Sequence, residues 1–163
     1  MSTEGTVAES SRSSAVVEAV LGASRVLVAV AARSLAEVGE DVTLPQYRAL
    51  VVLASKGPQR VASLAEALGV TPPTATRMCD RLVRKGLLKR RISREDRREV
   101  RLTIAPAGQE LVTEVTRRRR LEIARILSKI SVEDQQAMAE LFGKLTRAAG
   151  EVPDQDWAVG WEL

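Results

Sequence analysis

The chain has 163 residues, 45% of them apolar and only 2% aromatic, enough for one domain whose core Leu, Val, Ile and Ala must fill. That content excludes a disordered chain. The single cysteine, Cys79, excludes an internal disulfide framework, and nothing points to an oxidising compartment, so the chain reads as cytoplasmic.

Residues 1–12, MSTEGTVAESSR, are polar and aperiodic and read as a disordered leader. A helix rich in Ala and Val follows from about Ser13 to Val38, and Gly39, Glu40 and Asp41 form a linker. Glu18 and Arg25 interrupt its apolar run, against a membrane span, and Glu4 and Glu9 spoil the basic leader that secretion requires. A second helix is expected from Pro45, at its first position, to Ser55, with Lys56, Gly57 and Pro58 as the stop. Arg60 to Ala62 leaves room only for a very short strand.

Ser63 and Glu66 have capping-box spacing at the head of a helix that Gly69 closes. Thr71 then caps a helix with Pro72 and Pro73 in its first turn, running through Lys85 to Gly86. Two helices joined by a tight glycine-containing turn make a helix-turn-helix candidate. After Gly86 the period becomes alternating: Leu88, Ile92, Val100, Leu102 and Ile104 fit two strands with one apolar face, and SREDR forms the tip of a hairpin wing. Pro106 opens a long helix to about Lys129, and Ser131 with Asp134 caps a last one, in which Met138, Leu141, Phe142 and Leu145 share a face. Residues 150–163 are an acidic tail holding Trp157 and Trp161, read either as a frayed end or as a cover for an apolar groove. The fold class expected is mainly α with a small β-hairpin wing: a winged helix-turn-helix over residues 44–105, flanked by helical regions over 13–43 and 106–149.

Net charge is +4 overall. Between Arg77 and Arg101, however, 11 Lys or Arg face four acids, a local balance of +7, and the remainder sums to −3. A basic segment in an otherwise acidic chain is the footprint of a surface that meets phosphates, although a solvated charged face gives the same count. Placed at about 100° per residue, Ala75, Met78, Cys79, Leu82 and Val83 fall in one arc of the second helix of the motif, and Thr74, Arg77, Arg81, Arg84 and Lys85 in the opposing one. The first arc anchors; the second presents guanidinium forks that suit guanine edges and phosphates. Thr74 and Thr76 lie at the end that enters a groove. The hairpin tip adds Arg94, Arg97 and Arg98 beside Lys89, Arg90 and Arg91. Arg97 is the first choice for the minor groove, where negative potential is focused, with Asp96 orienting a guanidinium or capping the turn.

The run LAEALGVTPPTATRMCDRLVRKGLLKRRISREDRREVRLTIAPAG closely resembles the winged helix-turn-helix of the MarR family, including Asp96-Arg97-Arg98, and the order of the surrounding helices extends the resemblance over residues 13–149. It implies a dimer whose first, fifth and sixth helices intertwine. It also implies two recognition helices in successive major grooves, with Thr74, Thr76 and Arg77 facing the major groove and Arg97 the minor. An effector pocket between the dimer helices and the winged domain is implied too, with Tyr47 and Arg48 as candidate lining residues that packing or surface roles fit equally well. Ala105 stands where the family usually has a threonine before Pro106, so the fifth helix loses a side-chain cap, a loss of about 1 kcal/mol.

With no histidine and one cysteine, the usual acid-base, triad and zinc arrangements are absent; no metal or cofactor is called for, and no enzyme is expected. Cys79 reads as a small buried residue rather than a redox switch. Arg119 falls among Val112, Val115, Ile123 and Ile126, which places a paired arginine at a dimer interface or a charge on a solvated helix. The expected function is a homodimeric double-stranded-DNA-binding transcriptional regulator on a near-palindromic operator, with release by a small-molecule effector. The competing reading is a winged helix that binds protein, which needs no basic wing.

Overall fold

The computed structural model describes residues 3–38, 41–92 and 99–151. Six helices and one hairpin follow in the order α1 (Thr3–Ala36), α2 (Leu44–Lys56), α3 (Val61–Leu68), α4 (Pro72–Arg84), β1 (Leu88–Ile92), β2 (Val100–Ile104), α5 (Pro106–Leu127) and α6 (Val132–Ala148). The core lies where α2, α3, α4 and the hairpin meet the first half of α5. Leu50, Leu53, Leu64, Leu82, Leu88 and Leu102 are fully enclosed there. Aliphatic side chains thus do most of the large-volume packing, as a chain nearly free of aromatics requires.

Local chemistry explains the helix starts, and several differ from expectation. Residues 1–12, expected as a disordered leader, differ: α1 begins at Thr3. Extending a formed helix needs no new nucleus. The Ser63/Glu66 capping box is also corrected. Helix α3 starts at Val61 with Arg60 as its N-cap, so Ser63 lies inside it. The short strand expected over Arg60–Ala62 reduces to a single bridge of Gln59 with Leu102, two backbone hydrogen bonds that stitch the loop before α3 to the centre of β2. The true capping box is at α2, where the Thr43 hydroxyl accepts from the Gln46 N–H and the Gln46 carboxamide accepts from the Thr43 N–H. Thr71 is the N-cap of α4 as expected, but its hydroxyl meets that of Thr74 at 2.9 Å instead of capping. Ala105 caps α5 without a side-chain bond. It is buried, and its N–H donates to the Leu87 carbonyl.

The hairpin pairs Leu88 with Ile104, Arg90 with Leu102 and Ile92 with Val100. Directly opposed residues share a face, so Arg90 stands in the apolar row with Leu88, Leu102 and Ile104. Gly69, at φ 64°, closes α3 in the left-handed conformation that glycine adopts without strain. Gly108 serves a close approach. A Cβ there would stand 2.3 Å from the Leu87 carbonyl oxygen, so α5 crosses the α4–β1 connection backbone to backbone.

Outside this core the molecule is apolar and open. Among the described residues none of α6 is buried, and Val16, Val17, Val20, Leu21 and Val28 on α1 are 42–63% exposed. By length and composition alone, the 23-residue stretch Ser14–Ala36 could cross a membrane.

Candidate DNA-reading surface

Helix α4 divides as its spacing dictates. Ala75, Cys79 and Leu82 are completely buried, Met78 and Val83 pack on the edge of the core, and Thr74, Thr76, Arg77, Arg81, Arg84 and Lys85 are exposed. Apolar anchors on one side therefore hold a row of cations outward on the other. Arg81 and Arg84 stand in the last turn, where the helix dipole favours positive charge. Nearer the start, the Thr76 hydroxyl donates to the Pro72 carbonyl at 2.9 Å and the Arg77 Nε donates to that of Pro73 at 3.4 Å. These are carbonyls of the first turn, so Arg77 is folded back along the helix with its outer nitrogens left open.

Not all of the expected residues stay together. The Lys85 ammonium donates to the Asp41 carbonyl, tying the end of α4 to the α1–α2 linker and drawing its charge away from Arg77 and Arg84. Arg94, Asp96, Arg97 and Arg98 lie outside the described residues, as do Trp157 and Trp161. Tyr47 is a core residue, 4% exposed, whose hydroxyl lies 3.4 Å from that of Thr116 on α5. Arg48 is paired with Glu151 just beyond α6.

Two sets of ion pairs along the hairpin went unrecognised in the sequence. Glu99 is held by Arg60, at the head of α3, and by Arg101 on β2 at 2.7 Å. Hydrogen bonds from Arg60 and then Arg101 pull its carboxyl down to about 2. Asp80 on α4 pairs with Arg90 on β1. The only trace of either was an arginine interrupting an apolar strand face. Cys79 is the reverse case: burial pushes its thiol up to about 11, so it is protonated at neutral pH and a poor nucleophile.

Two grooves flank the second half of α5. One, of about 400 Å³, is apolar, with Val26 and Leu27 from α1, Ile123 and Ile126 from α5, and Met138 and Phe142 from α6. The other, of about 510 Å³, lies between α1 and α5 and is lined by charge. There Arg33 pairs with Glu122 and Arg118 with Glu37, while Arg117 and Arg118 share Glu114, which they hold at about 2. Neither Tyr47 nor Arg48 borders either groove.

The sequence model of the MarR family matches residues 42–100, from just before α2 to the start of β2. The chain is 34% identical over 110 residues to the HTH-type transcriptional repressor MdtR of Bacillus subtilis, an overlap of 68% of this chain and 71% of MdtR. This chain belongs to the MarR family. The HTH-type transcriptional regulator YfiV of the same organism is 32% identical over 108 residues, covering 66% of this chain and 68% of YfiV. Among solved structures, RV1404 of Mycobacterium tuberculosis superposes with a TM-score of 0.80 at 39% identity, over 86% of this chain and 95% of that one. The MarR winged-helix fold and the DNA-binding, transcription-regulating class expected from the sequence are therefore established. MarR proteins are regulators, generally not enzymes.

Proposed function

We propose that this MarR protein is a cytoplasmic homodimeric repressor that binds a near-palindromic operator through α4 and the wing. The observation that carries this is the α4 surface, where Thr74, Thr76, Arg77, Arg81 and Arg84 are presented outward by a fully buried opposite face. Arg77 is the residue to read a guanine edge through a bidentate fork. Arg97 is the minor-groove residue, with Arg94 and Arg98 supplying sequence-independent attraction to phosphates. Repression is favoured by the likeness to MdtR, itself a repressor.

Dimerisation is supported by apolar surface that one chain leaves open. The exposed valines and leucines of α1, the wholly unburied α6 and the apolar groove between them are contiguous along the helices outside the winged domain. A second copy covering this surface also accounts for the length and apolarity of Ser14–Ala36 without a membrane. Arg119 fits the same reading: it is half-buried, and its Nε is buried with no hydrogen-bond partner among the described residues, which a second chain could supply. An effector at the junction of dimer helices and winged domain would act on the contacts that bridge it, Tyr47 with Thr116 and Arg48 with Glu151.

Selecting duplexes from a random pool at stated salt, together with sedimentation of the free protein, tests the proposal. An enriched palindrome with half-sites about one helical turn apart and a dimeric mass are expected. No enriched site would favour a protein-binding winged helix.

A further inference from the structure

Asp80 is the one acid on the exposed part of α4, among Thr76, Arg77 and Arg84 at helical spacings of four, three and four residues. A carboxylate there opposes every phosphate that α4 approaches. Its partner is equally out of place: Arg90 occupies the strand face shared by Leu88 and Leu102, both buried. That row faces the body of the domain, so the Arg90 side chain is directed towards α4 and not away from it, and its Nη2 donates to Asp80 Oδ1. Both side chains remain open to solvent, 37% and 41% exposed. A pair so exposed adds little to fold stability, and fold stability therefore does not explain an acid in this position.

We infer that Asp80 is a specificity-determining positioning residue: it holds Arg90 as a phosphate anchor between recognition helix and wing, so that the two bind DNA in one fixed register. The inference rests on the DNA-binding function proposed above. Arg90 gives one N–H to Asp80, and the rest of its fork stays free for a phosphate oxygen. The pair bridges the middle of α4 to the middle of β1, so with α4 in one groove and the hairpin in the next it would face the sugar-phosphate backbone between them. On an operator, Arg90 binds that backbone and offsets the charge of Asp80. On other duplexes, where helix and wing do not engage together, Arg90 is not drawn onto a phosphate, and the Asp80 carboxylate lowers the net attraction and weakens binding. Asp80 thus acts against sequence-blind association as well as for the correct register.

The test uses the full-length protein, a duplex enriched from the random pool and a scrambled duplex of equal length, titrated by fluorescence anisotropy over a salt series. Asp80→Asn is expected to weaken operator binding and strengthen scrambled-duplex binding, cutting the ratio by about tenfold, the scale of one charged hydrogen bond. Arg90→Gln is expected to flatten the operator salt slope by about one unit, the loss of one phosphate contact. In that background Asp80→Asn costs the operator complex nothing further, whereas Asp80→Glu in the wild type recovers most of the ratio. The same factor for both duplexes on Asp80→Asn, additive effects in the double variant, or an unchanged slope on Arg90→Gln each overturn the inference while leaving DNA binding intact. Wild-type protein that binds no duplex overturns the DNA-binding proposal and the inference together.

Discussion

Gly108→Ala sets helix propensity against packing, and the two have opposite signs. Gly108 lies in the first turn of α5, and alanine inside a helix is preferred over glycine by roughly 1 kcal/mol. The added methyl carbon, however, would stand 2.3 Å from the Leu87 carbonyl oxygen and 3.0 Å from Ile104 Cγ1. The first obstacle is backbone, already fixed by the hydrogen bond it accepts from the Ala105 N–H at 3.0 Å. To reach an ordinary contact, α5 and the α4–β1 connection must separate by about 1 Å, and overpacking of this kind costs about 1–3 kcal/mol. Loosening the Leu87–Ala105 bond adds about 1 kcal/mol. The net expectation is destabilisation by about 1–3 kcal/mol, read in urea as a lowered midpoint with unchanged slope. Gly143→Ala is the control, because a Cβ there meets only the end of the Arg147 side chain, at 3.5 Å. It should stabilise by about 0.5–1 kcal/mol. If Gly108→Ala matches or exceeds wild-type stability at equal protein concentration, the backbone approach does not set the position of α5.

Three further expectations concern the reading surface and its supports. Arg77→Ala should cost about 1–3 kcal/mol of operator affinity and relax preference at one base pair; a loss uniform over all sequences would make Arg77 a phosphate contact. Glu99 has a depressed carboxyl in the folded state, so its contribution is present above its unfolded value near 4.5 and is lost as pH falls towards about 2. Wild-type stability should therefore decline between those values, and Glu99→Gln should flatten the decline; parallel pH profiles would show that the Arg60–Glu99–Arg101 cluster does not support the fold. Cys79, buried and raised to about 11, should react with a thiol reagent at neutral pH only after denaturation, and rapid labelling of the native protein would contradict its burial.

Features governed by neighbours in sequence were legible without coordinates: the inward and outward arcs of α4, Ser131 as the cap of α6, the glycine closing α3, and the hairpin with its apolar row. Each depends on helical or strand period, or on a side chain reaching a backbone group three residues away. The α3 start was misread because Ser63 and Glu66 have capping spacing, while the start was decided by Gln59 pairing with Leu102 across the domain. Whether Tyr47 lines a pocket or packs stays open in the sequence, because one polar group on α2 does not reveal that α5 lies over it.

The sequence by itself determined which surfaces are apolar and which are basic, because composition and period decide which side chains share a face. Only the tertiary structure decided where the charges of that basic surface are spent. Lys85 turns back to Asp41, Arg90 crosses to Asp80, and Arg60 and Arg101 close on Glu99, while Arg77 and Arg84 are left outward. An ion pair, like the hydrogen bond from Lys85 to the Asp41 backbone carbonyl, forms only between groups within about 4 Å. Separations of 44, 10 and 39 residues along the chain become such distances only once the core has brought the elements together.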